Sequence, residues 1–162
     1  MKSNLIHWTR RDFVKAASTV AAGPLMLTRP LFGANEKVRL AVLGVNGRGT
    51  DHIAGFMGLE NVEVATLCDP DAEVLAKRAK EFGDRYKKKV KTVQDLRKVY
   101  EDKEIDAVSI ATPNHWHALA AIWACQAGKD VYVEKPGSHN IWEGRKMVEA
   151  ADKYNRIVQH GV

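Results

Sequence analysis

Lys37-Val38-Arg39-Leu40-Ala41-Val42-Leu43-Gly44-Val45-Asn46-Gly47-Arg48-Gly49 decides the reading of this chain. Its first seven residues are rich in aliphatics and predict a buried strand. Three glycines in six residues then predict a tight turn, and Thr50 to Gly58 continues as a helix. A second apolar run, Val62 to Cys68, ends at Asp69. The order is strand, glycine turn, helix, strand, acid, and a dinucleotide has a use for each part. Glycines let backbone approach a pyrophosphate, and the helix start offers unpaired N–H groups and the positive end of a dipole. An acid closing the second strand accepts hydrogen bonds from a ribose diol. Asp69 lies 25 positions after Gly44, against a usual spacing of about 20. The turn reads G-x-x-G-x-G, with Asn46 where the common fingerprint has its second glycine. Asp69-Pro70-Asp71 also reads as a turn with a helix N-cap.

Downstream, helices and strands alternate. Helices are predicted over Ala72–Phe82 with Gly83 as the stop, Gln94–Glu101, His115–Ala127 ended by Gly128, and Asn140–Tyr154. Strands are predicted over Val90–Val93, Ala107–Ala111, Asp130–Glu134 and Arg156–His160. Strands spaced by helices of this length call for a parallel sheet with right-handed crossovers. The expected fold is α/β, a Rossmann-type doubly wound parallel sheet of six strands in the order 3-2-1-4-5-6.

Net charge is +5, and four of those charges sit in residues 1–34, where Lys2, Arg10, Arg11, Lys15 and Arg29 face Asp12 alone. The remainder is near neutral, which gives no case for nucleic-acid binding. Lys87-Lys88-Lys89 with Lys91 reads as a solvated loop. Cys68 and Cys125 have no metal-ligand spacing and lie in apolar segments, so they are expected as buried free thiols, with no metal site. Thr9-Arg10-Arg11-Asp12-Phe13-Val14-Lys15, followed by apolar Ala16–Leu27, resembles a twin-arginine export signal, with Val14 as the one departure. The alternative is a short amphipathic helix. On the export reading, residues 1–34 are a leader, residues 35–162 are the dinucleotide-binding domain, and the destination is periplasmic or otherwise extracytoplasmic. The translocation machinery is then a partner. This route carries folded cargo, which suits a protein that must leave with its dinucleotide already bound.

Ligands collect at the carboxyl ends of strands in such a sheet. Those ends carry the glycine turn, Asp69, Thr112-Pro113-Asn114-His115-Trp116-His117 and Glu134-Lys135-Pro136. With Gly128-Lys129-Asp130-Val131-Tyr132-Val133 leading into E-K-P, the chain from Lys37 onward resembles the glucose–fructose oxidoreductase / inositol dehydrogenase / MocA family. The resemblance implies that Gly44, Asn46, Gly47, Arg48 and Gly49 hold the pyrophosphate and Asp69 the adenosine ribose. It places Thr112, Pro113, Asn114 and His117 along the cofactor trough. Glu134 and Lys135 would meet the nicotinamide, and Pro136 would shape the strand end. Lys135 is the expected catalytic group, its ammonium stabilising alkoxide charge on a sugar or polyol substrate. On spacing alone it also reads as a surface lysine paired with Glu134. An acid at Asp69 repels a 2′-phosphate and favours NAD; Arg48 keeps NADP open.

Two departures from the family stand out. Gly137 follows E-K-P where a larger residue is common. The family's C-terminal α/β substrate domain, with its Asp-x-x-x-His pair and its subunit contacts, has no counterpart within 162 residues. Cofactor binding with little turnover is therefore expected of this chain. Three further readings stay open: an NAD-dependent glycosidase of the redox-elimination type, a non-catalytic nucleotide-binding module, and a methyltransferase. The last leaves E-K-P unexplained.

Overall fold

A computed structural model of the protein describes residues 37–161. The twin-arginine segment and the boundary at 34/35 lie outside the described residues. Six strands, β1 (Val38–Leu43), β2 (Val62–Cys68), β3 (Lys91–Val93), β4 (Ala107–Ile110), β5 (Asp130–Val133) and β6 (Val158–His160), form one sheet. All the pairings are parallel, and the order is β3-β2-β1-β4-β5-β6. The helices are α1 (Gly49–Met57), α2 (Ala72–Tyr86), α3 (Leu96–Glu101), α4 (His117–Gln126) and α5 (Ile141–Tyr154), with a 3₁₀ turn at Asn114–Trp116.

Alternation along β1 divides the core between the sheet's two faces. Leu40 and Val42 pack with Ile53 of α1 and Leu75 and Phe82 of α2. Ala41 and Leu43 face the other way, toward Val99 of α3 and Ala120, Ala121, Ala124 and Cys125 of α4. The run of alanines lets α4 lie close to the sheet. Both thiols are free and buried, and burial pushes Cys68 up to about 12.

Two sequence expectations need correction. Helix α2 does not stop at Gly83. It runs to Tyr86, whose ring packs on Phe82, and Lys87 supplies the left-handed terminus, its N–H donating to Gly83 O at 3.0 Å. The helix expected from His115 begins as the 3₁₀ turn and becomes α-helical at His117.

Candidate functional site

The turn after β1 is built by close approach. Gly44 has φ 81°, and a Cβ there would lie 2.8 Å from the backbone of Ala111 and Thr112 at the end of β4. A Cβ on Gly49 would overlap Gly44 O, so the helix start sits directly on the strand end. Gly47 differs, because a side chain there would meet nothing within 4 Å. Protein packing does not require glycine at 47, and its open face leaves the backbone accessible to a ligand. Arg48 flanks the start of α1 and gives it no side-chain cap, whereas Asp71, Asp95 and Asn140 cap α2, α3 and α5. Thr50 N and Asp51 N donate to Gly47 O and Arg48 O at 2.9 and 3.0 Å, while the Gly49 N–H has no acceptor among the described residues and is left for an outside one.

Asp69 closes β2 as expected and is 8% exposed. Its carboxylate accepts from Val45 N at 2.9 Å and Asp71 N at 3.1 Å. It therefore ties the glycine turn to the second strand, while each oxygen keeps acceptor capacity for a ribose. Asp71 caps α2, accepting from Glu73 N and Val74 N.

Beyond β4, Thr112 carries a buried hydroxyl with no hydrogen-bond partner among the described residues. Leaving such a group unpaired costs about 1–3 kcal/mol, so its presence marks a place for a ligand acceptor or donor. Pro113 and Asn114 open the 3₁₀ turn. His117 lies lower, 2% exposed, with Nδ1 2.7 Å from Pro136 O and Nε2 2.7 Å from Thr112 O. It presents no free ring nitrogen to the trough and instead joins the T-P-N loop to the E-K-P turn.

Glu134 is 5% exposed, and its Oε1 accepts from Arg48 Nε at 2.8 Å and faces His52 Nε2 at 3.0 Å. The Arg48 hydrogen bond, followed by that from His52, lowers the Glu134 carboxyl to about 2. His52 Nδ1 in turn lies 2.7 Å from the hydroxyl of fully buried Ser109. Lys135 follows with an exposed side chain. Its backbone N–H, not its ammonium, contacts Glu134, at 3.0 Å, and the ammonium makes no ion pair among the described residues. The surface-pair reading of Lys135 is therefore not what the structure shows. The Lys135–Pro136 bond is cis.

A cavity of about 590 Å³ opens over the ends of β1 to β4, its walls including Gly44, Pro70, Gln94, Leu96, Thr112 and Trp116. Trp116 and Trp123 meet edge to face across 6.5 Å. The E-K-P turn lies outside this cavity, over β5. The structure thus groups the expected residues into three adjoining sets: the glycine turn with Asp69, the T-P-N loop at the cavity, and Arg48 with Glu134 and Lys135. His52, Ser109, Arg78 and the Gln94–Arg97 wall were not foreseen. Only His52, a polar residue one turn into an otherwise apolar helix face, left a trace in the sequence.

Residues 38–162 match the Gfo/Idh/MocA oxidoreductase family, in the part described as its NAD-binding Rossmann fold. The chain belongs to this family. It is 31% identical over 169 residues to the glycosyl hydrolase family 109 protein 1 of Shewanella sp. (strain ANA-3), an alignment covering 89% of this chain and 37% of that protein. Among solved structures it resembles an NAD-binding protein from Listeria innocua, with TM-score 0.67 and 30% identity, over 77% of this chain and 35% of that one. It also resembles the WlbA dehydrogenase of Bordetella pertussis, solved with NADH and UDP-GlcNAcA, with TM-score 0.70 and 26% identity, over 78% of this chain and 37% of that one. This Gfo/Idh/MocA chain therefore spans little more than a third of the length of the relatives it matches. Its residues fit the family's cofactor. An open glycine face, a helix start without a side-chain cap and a buried hydroxyl with no partner among the described residues adjoin at one rim.

Proposed function

We propose that this rim holds NAD, as the cofactor-binding part of an oxidoreductase that moves hydride between a sugar or polyol hydroxyl and nicotinamide. The observation that carries the reading is the Thr112 hydroxyl, without a partner among the described residues, at a cavity bordered by the glycine turn. Gly44, Asn46, Gly47, Arg48 and Gly49 take the pyrophosphate. Asp69 accepts from the adenosine ribose while holding the turn in place. Thr112, Pro113 and Asn114 line the trough, and His117 supports it from below. Bound NAD supplies the hydride acceptor. Lys135, whose ammonium has no ion pair among the described residues, donates to the substrate oxygen and stabilises negative charge developing there. Glu134, held by Arg48 and His52, fixes the backbone at Lys135 rather than neutralising its charge, so the cation stays available.

The acid at 69 disfavours a 2′-phosphate, so NAD should bind more tightly than NADP. Calorimetry of the chain with NAD, NADP and S-adenosylmethionine tests this, with NAD expected first. Preference for S-adenosylmethionine would end the reading.

The family 109 glycosyl hydrolase relative favours a second reading, in which oxidation of a ring carbon lets a glycosidic bond be eliminated and the hydride is then returned. Assays of a longer protein separate the two. Sugar release without net NADH supports elimination, and stoichiometric NADH supports dehydrogenation.

We also propose export through the twin-arginine pathway, on the strength of Thr9–Lys15 and the apolar stretch after it. Changing both Arg10 and Arg11 to Lys should hold the protein in the cytoplasm. Unchanged export of that variant would reject the signal.

A further inference from the structure

Arg78, on the exposed-rich helix α2, is turned inward to the glycine turn. Its side chain is 16% exposed. Nε donates to Val45 O at 2.9 Å, Nη2 to Asn46 O at 2.9 Å, and Nη1 to Glu81 at 2.5 Å. One planar fork thus grips two consecutive carbonyl oxygens of the turn. The peptides involved are trans, since the one cis bond of the described residues is Lys135–Pro136. In a trans peptide the C=O and the following N–H point in opposite directions. Drawing the Val45 and Asn46 carbonyls toward α2 therefore turns the N–H groups of Asn46 and Gly47 away from it. Neither N–H donates to any acceptor among the described residues, and both residues are exposed. On the opposite side Asp69 holds the Val45 N–H. The turn is clamped between an acid that takes the Val45 N–H and an arginine that takes its carbonyls.

We propose that Arg78 is a positioning residue for pyrophosphate binding, aiming the Asn46 and Gly47 N–H groups at the diphosphate of the dinucleotide. It acts through the backbone and does not touch the ligand. The inference rests on the NAD reading above. Two properties of Arg78 matter: the fork, which sets both peptide planes at once, and the positive charge behind them. Lysine keeps the charge and loses the fork. Methionine loses both while keeping much of the buried stem.

The test uses the full 162-residue chain as wild type, R78K and R78M. Each is titrated with NAD and ADP-ribose, which carry a pyrophosphate, and with adenosine, which does not, following amide chemical shifts. Both variants should weaken NAD and ADP-ribose about tenfold, R78M more than R78K, as expected for losing hydrogen bonds made by a charged donor. Adenosine affinity should stay within about twofold. Equal weakening of all three ligands would show that Arg78 merely supports the fold and would overturn the proposal, as would NAD affinity unchanged in R78K. Should R78M fail to fold, R78K decides. Wild type that binds neither NAD nor ADP-ribose sinks the NAD reading itself, whereas wild-type binding left intact by R78K sinks this proposal alone.

Discussion

The two ends of the sheet are built from the same kinds of residue and treat them differently. At the amino ends of the strands, polar groups find partners within the protein. Lys129 is 3% exposed and donates to Asp102 O at 2.6 Å and Ile105 O at 2.8 Å. Asp106 accepts from Arg39 N, Asp130 accepts from Ile157 N, and Arg39 pairs with Glu63. At the carboxyl ends, the buried Thr112 hydroxyl and the N–H of buried Gly49 lack partners among the described residues. Burying polar groups unpaired is costly, so a fold tolerates it where something else supplies the partner. The amino ends are closed by the protein's own contacts, and the carboxyl ends keep a few groups open to a ligand.

Substitutions should separate the two ends. The largest effect is expected from Gly49→Ala, whose Cβ overlaps Gly44 O. It should abolish measurable NAD binding in calorimetry and cost about 3 kcal/mol in urea unfolding, an overpacking penalty against backbone. Lys129→Met comes next. It strands two buried carbonyls and should cost about 2 kcal/mol, yet leave NAD affinity of the folded protein unchanged. Thr112→Val should do the reverse. Unliganded stability should hold or rise by about 1 kcal/mol because an orphan hydroxyl disappears, while NAD affinity falls several-fold. A Thr112→Val protein that loses stability and keeps its affinity would erase the contrast between the ends.

A smaller effect concerns acid. Glu134 is lowered from an ordinary 4.5 to about 2 by Arg48 and His52. A depressed carboxyl contributes stability that is complete above its unfolded value and fades as pH falls toward the folded one. The stability gap between wild type and Glu134→Gln should therefore be largest above about pH 5 and shrink from pH 4.5 toward about 2. Equilibrium unfolding across that range reads it directly, and a constant gap would place the Glu134 contribution outside its charge.

Much of this was legible in the chain. The β1 run, the three glycines and Asp69 lie close together, so local period and spacing carry them. Strand order followed from the alternation of elements. The networks were not legible, because they join distant positions. Arg78 reaches Val45 across 33 residues, and His52 reaches Glu134 across 82. Local pattern marks Arg78 as a surface arginine on a charged helix and Glu134 as a partner for its neighbour. Tertiary packing reassigns both. The same holds for His117, whose motif points to the trough while its burial puts both ring nitrogens on backbone carbonyls. Gly83 misled for another reason: aromatic packing of Tyr86 on Phe82 carries α2 past a residue that ends many helices.

The most direct test of the central claim is an amide chemical-shift titration of the chain with NAD. Shifts confined to Asn46–Gly49, Thr112, Asn114 and Lys135, with Asp106 and Lys129 unmoved, are the predicted result. Shifts centred on the amino ends of the strands, or no saturable shifts, would contradict it.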